Sequence, residues 1–486
     1  MGTSSTKGLA VLPDGSVLAQ AQKAYPTRYP KPGYAEQDPD EVFQAVIEII
    51  YQTIQAAGAD GLLGISFSCA MHSLLAVDRE CRPLTPIIIW ADIRSASQAK
   101  GLRATEIGKK IYNLSGTPIH PMTPLCKLLW LKENQPAIFS SAFKFISIKE
   151  YLFAKLFGEY VVDYSIASGG GLFDHRQLEW SSDVLSLVGI SGEKLSTLVP
   201  TDKIFSGISR DLAAKMKISR EVPFIVGASD GCLAQWGSGA MDPGEMSVTI
   251  GTSGAVRMAT DSYRHDDQAR IFNYRLDEKT YIVGGATNNG AVLLSWFAEN
   301  MEGIKLDSKA FIEDAFSVGG SEGLIFLPYL LGERAPIYDP LARGVFFGIG
   351  IQHKRAHFKR ALLEGICWGL KSMMIALEEV VHPVERILAS GGFVHSDLWV
   401  QLLSDILGKP ITVDSQSDAS ALGAALLGFQ ALGVEADFHQ GVGGKLFQPE
   451  EKKYQHYQKL FEMVESLYDK LKDDFEKLND LNYIGP

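Results

Sequence analysis

Met246-Ser247-Val248-Thr249-Ile250-Gly251-Thr252-Ser253-Gly254 is a short strand-like run that breaks into a glycine-threonine-serine turn, and Ala255-Val256-Arg257-Met258 resumes the pattern behind it. Such a stretch predicts a hairpin with a tight turn. The turn has a counterpart about half the chain away. Gly2-Thr3-Ser4-Ser5 leads into Gly8-Leu9-Ala10-Val11-Leu12, a Pro13-Asp14-Gly15 turn and the strand-like Ser16-Val17-Leu18-Ala19. A pattern repeated at half-chain spacing predicts two related halves. The first copy has the outgoing strand but no incoming one.

Away from the turns, strands alternate with helical periods. Gly61-Leu62-Leu63-Gly64-Ile65-Ser66-Phe67-Ser68 follows an amphipathic stretch at 40–55, which favours layered α/β domains. Pro243-Gly244 is the best boundary, giving an N-terminal domain at 1–243, a C-terminal domain at 244–440 and a helical segment at 441–486. In that segment Tyr454, Tyr457, Phe461, Val464, Tyr468, Leu471, Phe475 and Leu478 step by threes and fours. The pattern predicts a long helix packed on the chain's own body, with a coiled coil as the alternative.

The 46 basic and 57 acidic residues give a net charge of −11, which disfavours general affinity for nucleic acid or anionic membrane. An anionic ligand therefore needs a local site. Cys69, Cys81, Cys126, Cys232 and Cys367 are scattered and show no CxxC spacing, so neither a disulfide framework nor a zinc site is expected. No apolar run approaches the roughly 18 residues of a membrane span, and Met1 to Ser5 lacks the features of a signal peptide. A cytoplasmic protein with small-molecule partners is the expectation, and self-association as a homodimer stays open.

Gly-Thr-Ser turns offer backbone N–H groups and hydroxyls to phosphate. Thr3, Ser4 and Lys7 in the first copy and Gly251, Thr252 and Ser253 in the second can clamp one polyphosphate, although two ordinary hairpin turns would look the same. No GxxxxGK[ST] loop is present. Ile387-Leu388-Ala389-Ser390-Gly391-Gly392, followed by a helical run from Ser396, reads as a nucleotide pocket or as a packing device. Asp230 ends Val226-Gly227-Ala228-Ser229-Asp230, where a carboxylate can accept a hydroxyl proton or cap a helix. Met71-His72 and the run Trp90-Ala91-Asp92-Ile93-Arg94 supply donors, acceptors and a flat ring, which suits a polyol. A core histidine and a surface ion pair are the plainer readings.

Together these residues resemble the FGGY family of carbohydrate kinases, from Met1 to about Gly433. Met122-Thr123-Pro124-Leu125-Cys126-Lys127-Leu128-Leu129-Trp130-Leu131-Lys132-Glu133-Asn134 looks like the family's first signature. Gly344-Val345-Phe346-Phe347-Gly348-Ile349 with His357-Phe358 and Ala361-Leu362-Leu363-Glu364 is similar to the second, departing from it at Leu362. The resemblance implies an α/β fold of two ribonuclease-H/actin-like domains with a nucleotide- and sugar-binding cleft between them. It also implies ATP and Mg2+, and transfer of the γ-phosphoryl group to a sugar hydroxyl. It makes Asp230 the catalytic base, Met71 and His72 sugar contacts, and Gly391, Gly392 and Ser396 the adenosine site. Thr252 and Gly290 become further nucleotide contacts, and no metal ligand is assigned.

The wording around the sugar is similar to that of family members acting on gluconate. It comprises Ala70 to Leu74, Trp90 to Arg94, Gly116 to Met122, Ile148-Lys149-Glu150-Tyr151 and Gly332-Glu333-Arg334-Ala335-Pro336. The implied acceptor is the 6-hydroxyl of gluconate, with Arg94, Lys149 or His120 meeting its carboxylate. Trp90 and Asp92 complete the implied sugar site. A kinase of xylulose or another sugar is the alternative, and outside that class a decayed sugar-binding regulator or an actin-like ATPase. The family pattern also has a strand ending in Asp ahead of the first Gly-Thr. Met1 stands at its last apolar position, so the natural chain is expected to start upstream or to have lost that strand.

Overall fold

The computed structural model describes residues 1–413, 418–438 and 444–481. In the first half, β1 (Ser5–Val11) and β2 (Val17–Ala24) form the hairpin expected behind the first turn, paired antiparallel from Ser5 opposite Ala24. Helix α1 (Pro39–Ala57) starts where the Asp38 carboxylate accepts the Asp40 and Glu41 amides, with Pro39 in the first turn. Its apolar face, including Val42, Val46 and Ile50, enters the N-terminal core. There follow β3 (Ile65–Cys69), α2 (Pro124–Asn134), α3 (Ile148–Phe157), β4 (Phe224–Ser229) and α4 (Asp230–Gly237). β3 and β4 run parallel with Ser229 opposite Cys69, so both strands end at one level.

The second half contains β5 (Glu245–Ile250), β6 (Gly254–Thr260), β7 (Phe272–Arg275), β8 (Tyr281–Thr287), α5 (Val292–Asn300), α6 (Arg355–Val380) and β9 (Arg386–Ser390). α7 (Asp397–Leu407), β10 (Ile411–Val413), α8 (Ala419–Ala431), β11 (Lys445–Phe447) and α9 (Glu451–Leu481) complete it. Its strands form one seven-stranded sheet in the order β7-β8-β6-β5-β9-β10-β11. β5 lies inside it, antiparallel to β6 and parallel to β9. Leu362, where the chain departs from the second signature, is fully buried on α6 with Leu363, Ile366 and Trp368.

α9 packs on the body through Tyr457, Phe461, Val464, Leu467 and Phe475. Leu478 is 46% exposed, and Leu467, outside the expected set, is buried. Leu467 lies three residues after Val464 and four before Leu471, so it belongs to the same helical stripe. α8 crosses back to the first half, where Ala424 and Leu427 join the N-terminal core. α4 and α8 touch backbone to backbone: a Cβ on Gly237 would overlap the Ala419 carbonyl, and one on Gly423 the Leu233 carbonyl.

A cavity of about 580 Å³ is bounded by β1, β3, α1 and α8, with Leu9, Ile49, Phe67 and Ala424 among its walls. At its end the Met1 amine donates to Ser68 O at 2.7 Å and the Met1 carbonyl accepts from Ala70 N at 2.8 Å. The pattern is that of a parallel ladder beside β3. All five cysteines are free. Among the described residues no helix is long and apolar enough to cross a membrane.

Candidate active site

Asp230 and the pair Met71-His72 stand at the carboxyl ends of adjacent parallel strands, β4 and β3. The helix-capping role falls to Ser229, whose hydroxyl accepts the Cys232 amide at 3.3 Å. Asp230 occupies the next position. Its Oδ1 accepts the Gly231 amide at 2.7 Å, and its Oδ2 has no partner among the described residues. Burial raises the Asp230 pKa, and the nearby Arg257 guanidinium is the largest influence opposing that rise. A carboxylate free of capping, with its proton affinity raised by burial, is equipped to take a proton.

His72 adopts a left-handed backbone, with φ of 64°, that side chains rarely take up. Its Nδ1 lies 2.9 Å from Gly169 O, an acceptor only, so Nδ1 carries the proton and Nε2 accepts the Tyr274 hydroxyl at 3.2 Å. Burial pushes its pKa down to about 3, so the ring is neutral. Lys127 on α2 donates to the His72 carbonyl and to those of Ile88, at 3.1 Å, and Ile89, at 2.9 Å. The lysine thus ties the loop after β3 to the segment entering Trp90. Trp90 donates its indole N–H to Thr3 Oγ1 at 2.7 Å, and the Arg334 guanidinium lies 4.8 Å over its ring. Met71 is buried beside Gly169.

Of the three groups nominated for a carboxylate, two are engaged in buried ion pairs and the third is neutral with a buried, unpartnered Nε2. Arg94 reaches Asp92 Oδ2 at 2.7 Å and Glu36 at 2.6 Å, with side-chain exposures of 3% for Arg94 and 0% for Asp92. Asp92 also accepts the Ala35 amide at 2.6 Å. Lys149 on α3 is paired with the buried Asp163 at 2.6 Å. His120 is held neutral by burial, and its Nδ1 accepts the Met122 amide at 3.2 Å. Buried charges need such partners. Arg94 and Lys149 are thus taken up in buried pairs, and His120 carries no charge.

On the opposite side, the β5–β6 turn closes with Gly251 N donating to Ser253 O at 2.9 Å. The chain before α5 docks on it, with Ala291 N donating to Gly251 O at 2.8 Å and Gly290 N to Thr252 O at 3.2 Å. A Cβ on Gly290 would lie 2.5 Å from Ser253 O, so the close approach requires glycine. Gly391, with φ of 98°, turns the chain after β9, and no atom stands within 4 Å of where a Gly392 Cβ would be. Ser396 caps α7 by accepting the Trp399 amide at 3.4 Å. In the first copy Gly2 N bonds Ser5 O at 2.9 Å, and Lys7 crosses to Asp418 at 2.6 Å. Ser4 lies in the same turn, ahead of β1. The carboxyl ends of β5 and β9 open the kind of crevice where α/β sheets bind ligands.

Residues 1–237 match the N-terminal domain of the FGGY family of carbohydrate kinases, and residues 246–432 match its C-terminal domain. The chain belongs to this family. It is 42% identical to the gluconokinase of Bacillus subtilis (strain 168) over 444 residues, 89% of this chain and 86% of that relative. Two solved structures from Lactobacillus acidophilus, a ligand-bound xylulose kinase and a gluconate kinase, superpose with TM-scores of 0.93 and 0.92. Each is 35% identical, with 98% of both chains covered. The FGGY kinase has the two-domain ribonuclease-H/actin-like fold that these neighbours share.

Magnesium, the divalent ion expected with ATP, takes oxygen donors, largely from phosphate and water. Among the described residues no three His, Cys, Asp or Glu side chains converge on one point. The set fits an ion held chiefly through ATP phosphates, as magnesium is, with Asp230 as the carboxylate at the cleft. Two cleft residues were not assigned from sequence. Arg334, inside the quoted Gly332 to Pro336 run, donates Nη2 to Thr287 O at 3.0 Å, while its Nε is buried without a partner. Arg257 on β6 lies against Gly231, where a Cβ would stand 3.3 Å from its Nε. The available signal was a single charge inside the otherwise apolar run Gly254 to Met258.

Proposed function

We propose that this FGGY kinase transfers the γ-phosphoryl group of ATP to the 6-hydroxyl of D-gluconate, with Asp230 as general base. The observation that carries the base assignment is the open Oδ2 of Asp230 at the end of β4, level with Met71-His72 and relieved of capping by Ser229. Oδ2 takes the hydroxyl proton while Oδ1 stays on the Gly231 amide, and burial, which raises the Asp230 pKa, makes the carboxylate a better proton acceptor. Trp90 covers the carbon skeleton, and the backbone and hydroxyls of the Gly251 to Ser253 turn hold phosphate. Magnesium, when bound with ATP, supplies charge neutralisation on the phosphates. Closure of the two halves excludes water, the competing acceptor.

The gluconokinase relative at 42% identity supports the sugar acid, as do the two arginines in the cleft. The xylulose kinase likeness at 35% supports the second reading. ADP release measured over gluconate, xylulose, glycerol, ribulose and fuculose tests the choice. Gluconate is expected to have the highest kcat/KM, by about tenfold or more. A higher value for xylulose would refute the substrate and leave the kinase intact.

A further inference from the structure

We propose that Arg257, reaching from β6 to the cleft, receives the carboxylate of the sugar acid and so selects acids over neutral polyols. The inference rests on the gluconate reading above and names the residue that makes the choice. Its starting point is the engagement of Arg94 and Lys149 in buried pairs and the neutrality of His120, which leaves the substrate's charge without a counterpart on the N-terminal wall.

Arg257 is different in kind. None of its guanidinium nitrogens has a hydrogen-bond partner among the described residues, and Nε and Nη1 are sealed from solvent. An unsatisfied buried cation is costly, and a native chain keeps one where a ligand completes it. The residue as a whole is only partly buried, and Nη2, the nitrogen not sealed, lies 3.7 Å from where a Gly231 Cβ would be, one residue from Asp230. Gly231, next to Asp230, contributes no side chain where the guanidinium approaches. A planar fork with all its donors unassigned matches a carboxylate, which accepts two parallel N–H bonds. Arg334 is a weaker candidate, since it already serves Thr287 O and the Trp90 ring.

D-Glucitol differs from gluconate only in carrying a hydroxymethyl group for the carboxylate, so the two acceptors isolate the charge. In the full chain, Arg257→Met should raise the KM for gluconate about 10²-fold, as loss of a desolvated charge partner does, and so lower the gluconate-to-glucitol ratio of kcat/KM by a similar factor. Arg257→Lys, which keeps the charge without the fork, should raise that KM about tenfold. The lysine variant also serves if the methionine variant fails to fold, with thermal melting and ADP binding as the checks. An equal fall in kcat for both acceptors would overturn the inference and place Arg257 in the transfer step. An unchanged gluconate-to-glucitol ratio would also overturn it. If the unmutated protein prefers a neutral sugar to gluconate, the substrate reading falls and the inference with it. If it prefers gluconate and Arg257→Met does too, only the inference falls.

Discussion

Replacing Lys127 with methionine removes a buried ammonium from three backbone carbonyls, those of His72, Ile88 and Ile89. Two large terms oppose each other. Three buried carbonyls left without donors cost about 1–3 kcal/mol each. Against this, burial drives the Lys127 pKa from 10.5 down to about 7, a drop equivalent to about 5 kcal/mol of charge-burial cost at about 1.4 kcal/mol per pH unit. Net stability should therefore change by no more than about 4 kcal/mol in either direction. Geometry has no such compensation, because His72 holds a left-handed backbone that its carbonyl contact helps to fix. The KM for the sugar is expected to rise about tenfold with the KM for ATP unchanged.

The same residue gives a pH test. Its folded value lies below its unfolded one, so between about pH 7 and 10.5 the unfolded chain binds more protons and stability rises with pH. Over that window the neutral amine has two donors for three carbonyls, and the sugar KM should climb. Steady-state ADP release at pH 6 to 9, with urea unfolding across the same range, reads both effects. An equal rise in the KM for ATP, or pH profiles that survive Lys127→Met unaltered, would refute the reasoning.

Asp230→Asn should lower kcat by about 10²-fold or more while calorimetry still finds ATP and sugar bound; unchanged turnover would remove Asp230 from the base role. Gly290→Ala puts a Cβ against the Ser253 carbonyl, so the KM for ATP should rise several-fold and the melting temperature fall, whereas wild-type values for both would show the turn to be adaptable. Extending the chain ahead of Met1 by six apolar residues ending in Asp should fill the cavity beside β3 and raise the melting temperature by several degrees. An unchanged melting curve would mean that the slot does not take a strand.

Features set by local chemistry were legible in the sequence. The two hairpins follow from period-two patterning and turn residues, and the α9 stripe from helical spacing, with only Leu467 and Leu478 exchanging roles. Asp230 was placed correctly at a strand end, yet Ser229 and Asp230 are both good caps, and only the helix start decides between them. The engagement of Arg94 and Lys149 was hidden because Glu36 and Asp163 are brought to them by folding. Lys127 sat inside a quoted signature, but its acceptors are backbone carbonyls, which no sequence displays. Arg257 was passed over inside a strand read for its apolar neighbours. Helix α8, rich in alanine and leucine on all sides, carries no mark of the half it will pack against.

The glycine crossing of α4 and α8 makes a lever of the helix that begins at Asp230. Gly237 and Gly423 let the two backbones meet directly, with Leu233 of one helix and Ala424 of the other packed in the same core beside the contact. Asp230 begins α4 and Gly237 ends it, so the carboxylate rides about 10 Å from the crossing at 1.5 Å per residue. A swing of about 10° carries its carboxylate nearly 2 Å, enough to take it out of reach of a hydroxyl. The position of Asp230 is therefore set by an angle at this crossing, and a side chain at either glycine would change it.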